Sequence, residues 1–101
     1  MPRCSEYTQE DIGRLEGIQN KCCYYCGASE KPLQVEHLVP VSKGGTNFIS
    51  NIVLACAHCN ASKHSKTDLE FWKHLKKKHP PEWIKERKAQ AKEIQKLKLR
   101  T

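Results

Sequence analysis

Two pairs of cysteines carry the plainest chemistry in the sequence. Cys23 with Cys26, and Cys56 with Cys59, each form a C-x-x-C spacing, and residues 27–55 separate the pairs. This spacing puts two thiolates on one tight turn, and two such turns complete a tetrahedral Zn²⁺ shell. A closed four-thiolate shell leaves no open position, so the zinc is expected to be structural. Such sites supply on the order of 10–16 kcal/mol of apparent binding energy, which is also folding energy. Two core cysteine pairs, or a redox C-x-x-C, are the competing readings. Neither accounts for two matched pairs around one intervening stretch. Cys22 competes with Cys23 for the ligand position, and Cys23 is preferred because Gly27 after Cys26 gives the knuckle a permissive backbone. Cys4 and Cys22 are read as bystanders.

A second set of residues remains once zinc is assigned: Glu36, His37, Asn51, Asn60, Lys63 and His64. Glu36 offers hard oxygen ligands for a divalent cation. His37, with an ordinary pKa near 6.5, suits a general base at neutral pH. Asn60 directly follows Cys59, so a zinc knuckle would fix its place, and its amide oxygen offers a second ligand. An ion held by one carboxylate and one amide keeps several waters and can bind a phosphate. Lys63 and His64 lie three and four residues beyond Asn60, on its face of a helix. Both are candidates for phosphate or auxiliary contacts, with a plain surface histidine the simpler reading of His64. Taken alone, an acid-histidine pair on a strand is usually solvated surface, and an asparagine is an ordinary turn or cap residue.

The elements that must position these groups are short. Thr8 and Asp11 form a capping pattern before Ile12, Leu15 and Ile18, which predicts a helix over residues 8–19. "LQVEHLVPV" has strand composition and stops at Pro40, "SKGGTNFIS" is a polar loop whose Gly44 and Gly45 allow the return, and "NIVLAC" is a second strand. A helix starts within "AHCNASKHSK", which makes a ββα unit. Thr67 and Glu70 match a capping box before a helix whose Leu69, Phe71, Trp72 and Leu75 are expected in the core. His79 to Pro81 ends it, and a last basic helix carries a thin stripe of Ile84, Ala91 and Ile94. The expected fold class is α+β: a ββα unit stapled by four cysteines, between an N-terminal helix and basic C-terminal helices. The expected organisation is one domain, with residues 1–20 an N-terminal helix, 21–66 the core and 67–101 a basic helical extension.

Charge narrows the partner. The chain has 101 residues and a formal charge of +7, and 13 of its 18 Lys and Arg fall in residues 63–101 against 5 of its 11 acids. The excess points to a polyanion. No apolar run approaches the roughly 20 residues of a membrane span, and "MPRCSEYTQE" lacks a signal-peptide core. A cytoplasmic protein, not secreted and not in a membrane, is expected; reduced thiols there favour metal over disulfides.

With those residues in view, "CYYCG…VEHLVPVSKGGTNFISNIVLACAHCNASK" resembles the zinc-supported HNH endonucleases of the ββα-metal type. The likeness covers residues 21–66: an acid-histidine pair on the first strand, a Lys-Gly-Gly loop, an Asn opening the second strand, and C-x-x-C followed by His or Asn. Two positions vary, with Glu36 for the commoner Asp and Asn60 for His. The resemblance implies that His37 deprotonates the attacking water and that Glu36 and Asn60 hold one divalent ion, Mg²⁺, Mn²⁺ or Ni²⁺. It implies that Asn51 braces the loop and helps orient His37, and that DNA is the substrate. A non-catalytic zinc module binding DNA through its basic helices, and a nicking subunit of a larger phage or mobile-element complex, are the alternatives. A monomer would nick and a homodimer would cut both strands.

Overall fold

The computed structural model describes residues 6–100. Its elements, in order, are helix α1 (Gln9–Ile18), strand β1 (Leu33–His37), strand β2 (Ile52–Cys56), and helices α2 (Ala57–Lys63), α3 (Asp68–Lys76) and α4 (Pro81–Leu99). Single 3₁₀ turns at Val41–Lys43 and Ile49–Asn51 shape the connection between the strands. The α+β class holds, and Cys4 lies outside the described residues. None of the described helices is long and apolar enough to cross a membrane.

The strands pair antiparallel, with Glu36 opposite Val53 and His37 opposite Ile52. All five residues of β2 are buried. Side chains alternate across a strand, so full burial requires cover on both faces. Val53 and Ala55 pack with Phe71, Trp72, Leu75, Ile84, Ala91 and Ile94. Ile52 and Leu54 pack with Leu15, Tyr7 and Ile12 on the other side. The strand is thus sandwiched between α1 and the α3–α4 pair. Its second edge is closed by a side chain: Gln19 Nε2 donates to the Leu54 carbonyl and Gln19 Oε1 accepts from the Leu54 N–H, both at 2.9 Å. The Leu54 carbonyl also accepts from Tyr24 N at 3.0 Å, so the buried group that depends on Gln19 is the Leu54 N–H.

Both capping boxes form, at Thr8 with Asp11 and at Thr67 with Glu70. The second also fixes the turn after β1, because Asp68 N donates to Leu38 O at 2.7 Å and Lys43 pairs with Glu70 at 2.9 Å. The Thr67 backbone N–H, first, and Lys43 hold the Glu70 carboxyl down at about 2. Pro81 occupies the first turn of α4, where its missing N–H costs nothing. At the far end of α4, Lys98 Nζ donates to Ile52 O at 2.8 Å and to Ser50 O at 3.5 Å, and burial holds its ammonium down at about 8.

One core expectation is corrected. Leu69 is 73% exposed, whereas Phe71, Trp72 and Leu75 are buried. Leu69 sits in the first turn of α3 and stays outside the buried cluster in which the Tyr25 ring meets Phe71 and Trp72 edge-on at 4.8 and 5.3 Å. Phe71→Ala should therefore destabilise the zinc-loaded protein by about 3–5 kcal/mol, and Leu69→Ala by less than about 0.5 kcal/mol. Urea unfolding followed by circular dichroism measures both.

Candidate metal centre and active site

The four expected cysteines meet. The sulfurs of Cys23, Cys26, Cys56 and Cys59 all lie within 4.8 Å of one another. Cys26 and Cys56 are 3.8 Å apart, the edge of a tetrahedron with metal–sulfur bonds of about 2.3 Å. The donor set therefore fits zinc. Cys22 stays outside, its thiol turned to Asn20 O at 3.3 Å. Crowding makes the thiols unequal: the hydrogen bond from Cys59 draws Cys23 down to about 4, and the same contact pushes Cys59 far up. Burial raises Cys26.

Local backbone builds the cluster. Gly27 has φ 75°, and a Cβ there would lie 2.7 Å from the Arg87 guanidinium. That guanidinium, from α4, donates to Tyr25 O at 2.9 Å and to Cys23 O at 3.3 Å. The glycine thus serves two needs, a left-handed backbone and room for the arginine. Arg87 was not singled out by the sequence, where it reads as one more cation of a basic helix.

The second constellation divides across the sheet. Glu36 and His37 are adjacent on β1, so their side chains leave opposite faces. Glu36, 7% exposed, turns toward α2, where its Oε2 accepts from Asn60 Nδ2 at 2.6 Å. Its Oε1 accepts from Lys63 Nζ at 2.9 Å. Lys63 is 0% exposed and also donates to His37 O at 2.6 Å. The phosphate contact considered for Lys63 thus gives way to an internal one: its ammonium is spent neutralising a buried carboxylate. Asn60 is half-buried and lines an open cleft with Pro40, Ser42 and His64.

His64 is exposed and departs from the expected helical face. It ends α2 with φ 49° and ψ −121°, a left-handed backbone unfavourable to any residue with a Cβ. His37 closes β1, half-buried, with Nε2 2.6 Å from Asn47 Oδ1. Asn51 braces the loop. Its Oδ1 accepts from Val39 N at 2.9 Å, and its Nδ2 donates to Val39 O at 3.0 Å and Thr46 O at 2.9 Å. The residue that holds the His37 ring is therefore Asn47, which in sequence was one polar letter of a glycine-bearing loop. The nearby Gly45 admits no Cβ, which would lie 1.8 Å from Val39 O.

An antiparallel hairpin feeding a helix, with an acid–asparagine contact between strand and helix, a histidine closing the first strand and a four-cysteine cluster, defines the ββα-metal class. Residues 23–76, over half of the chain, match the HNH endonuclease family, and the chain belongs to it. It is 37% identical over 67 residues to the CRISPR-associated endonuclease Cas9 of Actinomyces naeslundii, a match covering 61% of this chain and 6% of that protein. It is 33% identical over 70 residues to the Cas9 of Corynebacterium diphtheriae, covering 64% and 6%. The chain thus corresponds to about 6% of the length of these relatives.

Two outcomes follow for the site. Cys56→Ser should lose both zinc and the native circular-dichroism spectrum; a normally folded, zinc-free variant would show the staple to be dispensable. Lys63→Met should cost about 3–5 kcal/mol by stranding a buried carboxylate, against less than about 0.5 kcal/mol for the exposed Lys73→Met, read by thermal unfolding of the zinc-loaded proteins.

Proposed function

We propose that the protein is a metal-dependent endonuclease that hydrolyses DNA phosphodiester bonds. The observation that carries this reading is the meeting of Glu36 and Asn60 at 2.6 Å beside an open cleft, with His37 next in the chain and its ring held in place. A carboxylate and an amide at that separation fit a shared divalent ion, Mg²⁺, Mn²⁺ or Ni²⁺, once the amide oxygen of Asn60 is turned to it. When bound, such an ion supplies positive charge against the phosphate and the leaving oxygen. His37 accepts the proton of the attacking water. Glu36 and Asn60 position the ion, Lys63 anchors the carbonyl of His37 and one oxygen of Glu36, and Asn51 keeps the loop at its distance from β1.

DNA as substrate is supported by family membership and by charge. Lys85, Lys88, Lys92 and Lys96 are all exposed on α4 and recur every three or four residues, so they form one stripe. Such a stripe contacts phosphates without reading bases, and its binding weakens with salt. A single copy with one site nicks, and cutting both strands needs two copies.

Supercoiled plasmid incubated with each metal in turn tests the proposal, with nicked and linear products resolved on a gel. His37→Ala should lower the cleavage rate by about 10²–10⁴-fold while zinc content and circular dichroism stay as in the native protein. Full activity in that variant, or inertness of the native protein with every metal, would overturn the catalytic reading and leave a zinc-stapled DNA-binding module.

A further inference from the structure

A hydrogen-bonded chain that starts outside the family-matched segment ends on the candidate base. Glu6 lies before α1, and its Oε1 accepts from Asn47 Nδ2 at 3.1 Å. Asn47 Oδ1 lies 2.6 Å from His37 Nε2. The same short segment holds the Asn47 backbone, because Tyr7 N donates to Asn47 O at 2.8 Å. Residues 6 and 7 precede the family match, which begins at residue 23.

The donor and acceptor inventory gives this chain a direction. An ionised carboxylate only accepts hydrogen bonds. The amide of Asn47 must therefore turn its NH₂ to Glu6, which leaves its oxygen against the ring. An amide oxygen also only accepts, so the proton of the 2.6 Å contact belongs to Nε2. A neutral imidazole carries one N–H, so Nδ1 is left with the free lone pair.

We infer that Asn47, oriented by Glu6, is a positioning residue that fixes His37 as the Nε2–H tautomer and leaves Nδ1 as the nitrogen that takes the proton from water. The inference rests on the reading of His37 as general base. It assigns a role in the site to the N-terminal segment and to a loop residue that the acid-histidine and C-x-x-C motifs do not mark. The ring is then held at one end by Asn47, while Lys63 holds the residue's own carbonyl at 2.6 Å.

Nitrogen-15 spectra of histidine-labelled, zinc-loaded protein test this, recorded above pH 7.5 through two-bond couplings to the ring protons. The chain has 5 histidines, and the set that vanishes in His37→Gln identifies the relevant signals. His37 should show the Nε2–H pattern. Asn47→Ala should shift it toward a mixture of tautomers and lower the plasmid cleavage rate by roughly 10- to 10²-fold, with zinc content unchanged. The paired exchange Glu6→Gln with Asn47→Asp keeps a donor facing an acceptor at the first link and an acceptor against Nε2. It should restore the pattern that Asn47→Ala loses.

An Nδ1–H pattern in the native protein, or His37 signals that Asn47→Ala leaves unmoved, overturns the inference whatever His37→Ala does to cleavage. If the spectra come out as expected but His37→Ala still cleaves, the tautomer control stands and the general-base reading falls instead. If the paired exchange fails to restore the pattern in a protein that retains zinc, the directed chain is overturned.

Discussion

Strand β2 has no face toward solvent, and the rest of the molecule is arranged around that constraint. Five consecutive buried residues need apolar cover above and below, together with a partner for each backbone group along both edges. Helix α1 covers Ile52 and Leu54, while α3 and α4 cover Val53 and Ala55. β1 satisfies one edge and Gln19 the centre of the other. The same alternation then sorts the chemistry. Glu36 shares a face with Val53 and so meets α2, whereas His37 shares one with Ile52 and so meets the N-terminal segment and the loop. An acid and a base adjacent in sequence thus receive separate surroundings.

Much of this was legible in the sequence, and the legible parts share a cause. Both capping boxes, the two strands and the C-x-x-C pairs are local patterns whose geometry is fixed within a few residues. The apolar stripe of α4 was readable for the same reason, since Ile84, Ala91 and Ile94 repeat at helical spacing. Leu69 misleads because a first-turn residue can satisfy the period and still face water, depending on what the helix packs against. Asn47, Gln19 and Arg87 were illegible because their partners are remote: each is an ordinary polar residue until the fold brings a ring, a strand edge or a row of carbonyls to it.

Lys63 illustrates the same limit in electrostatic form. A cation three residues past Asn60 in a basic stretch suggests an outward reach toward phosphate. The helix instead turns it inward, where it is the counter-charge for Glu36. A carboxylate this buried would be costly without a partner. The pairing sets the two groups side by side next to Asn60, which lines the open cleft. It also ties the two strand residues together, because the one ammonium touches both the Glu36 side chain and the His37 carbonyl.

The loop between the strands receives hydrogen bonds from both ends of the described chain: Tyr7 N reaches Asn47 O, and Lys98 Nζ reaches Ser50 O and Ile52 O. These contacts join positions about forty to fifty residues apart, so they close large loops and are favoured late in folding. The cysteine knuckles and hairpin are bridged over shorter separations. The loop that carries Asn47 is clasped from before α1 and from the last turn of α4, two segments that lie outside the family-matched residues. Residues outside the matched segment thus restrain the loop against which the His37 ring rests.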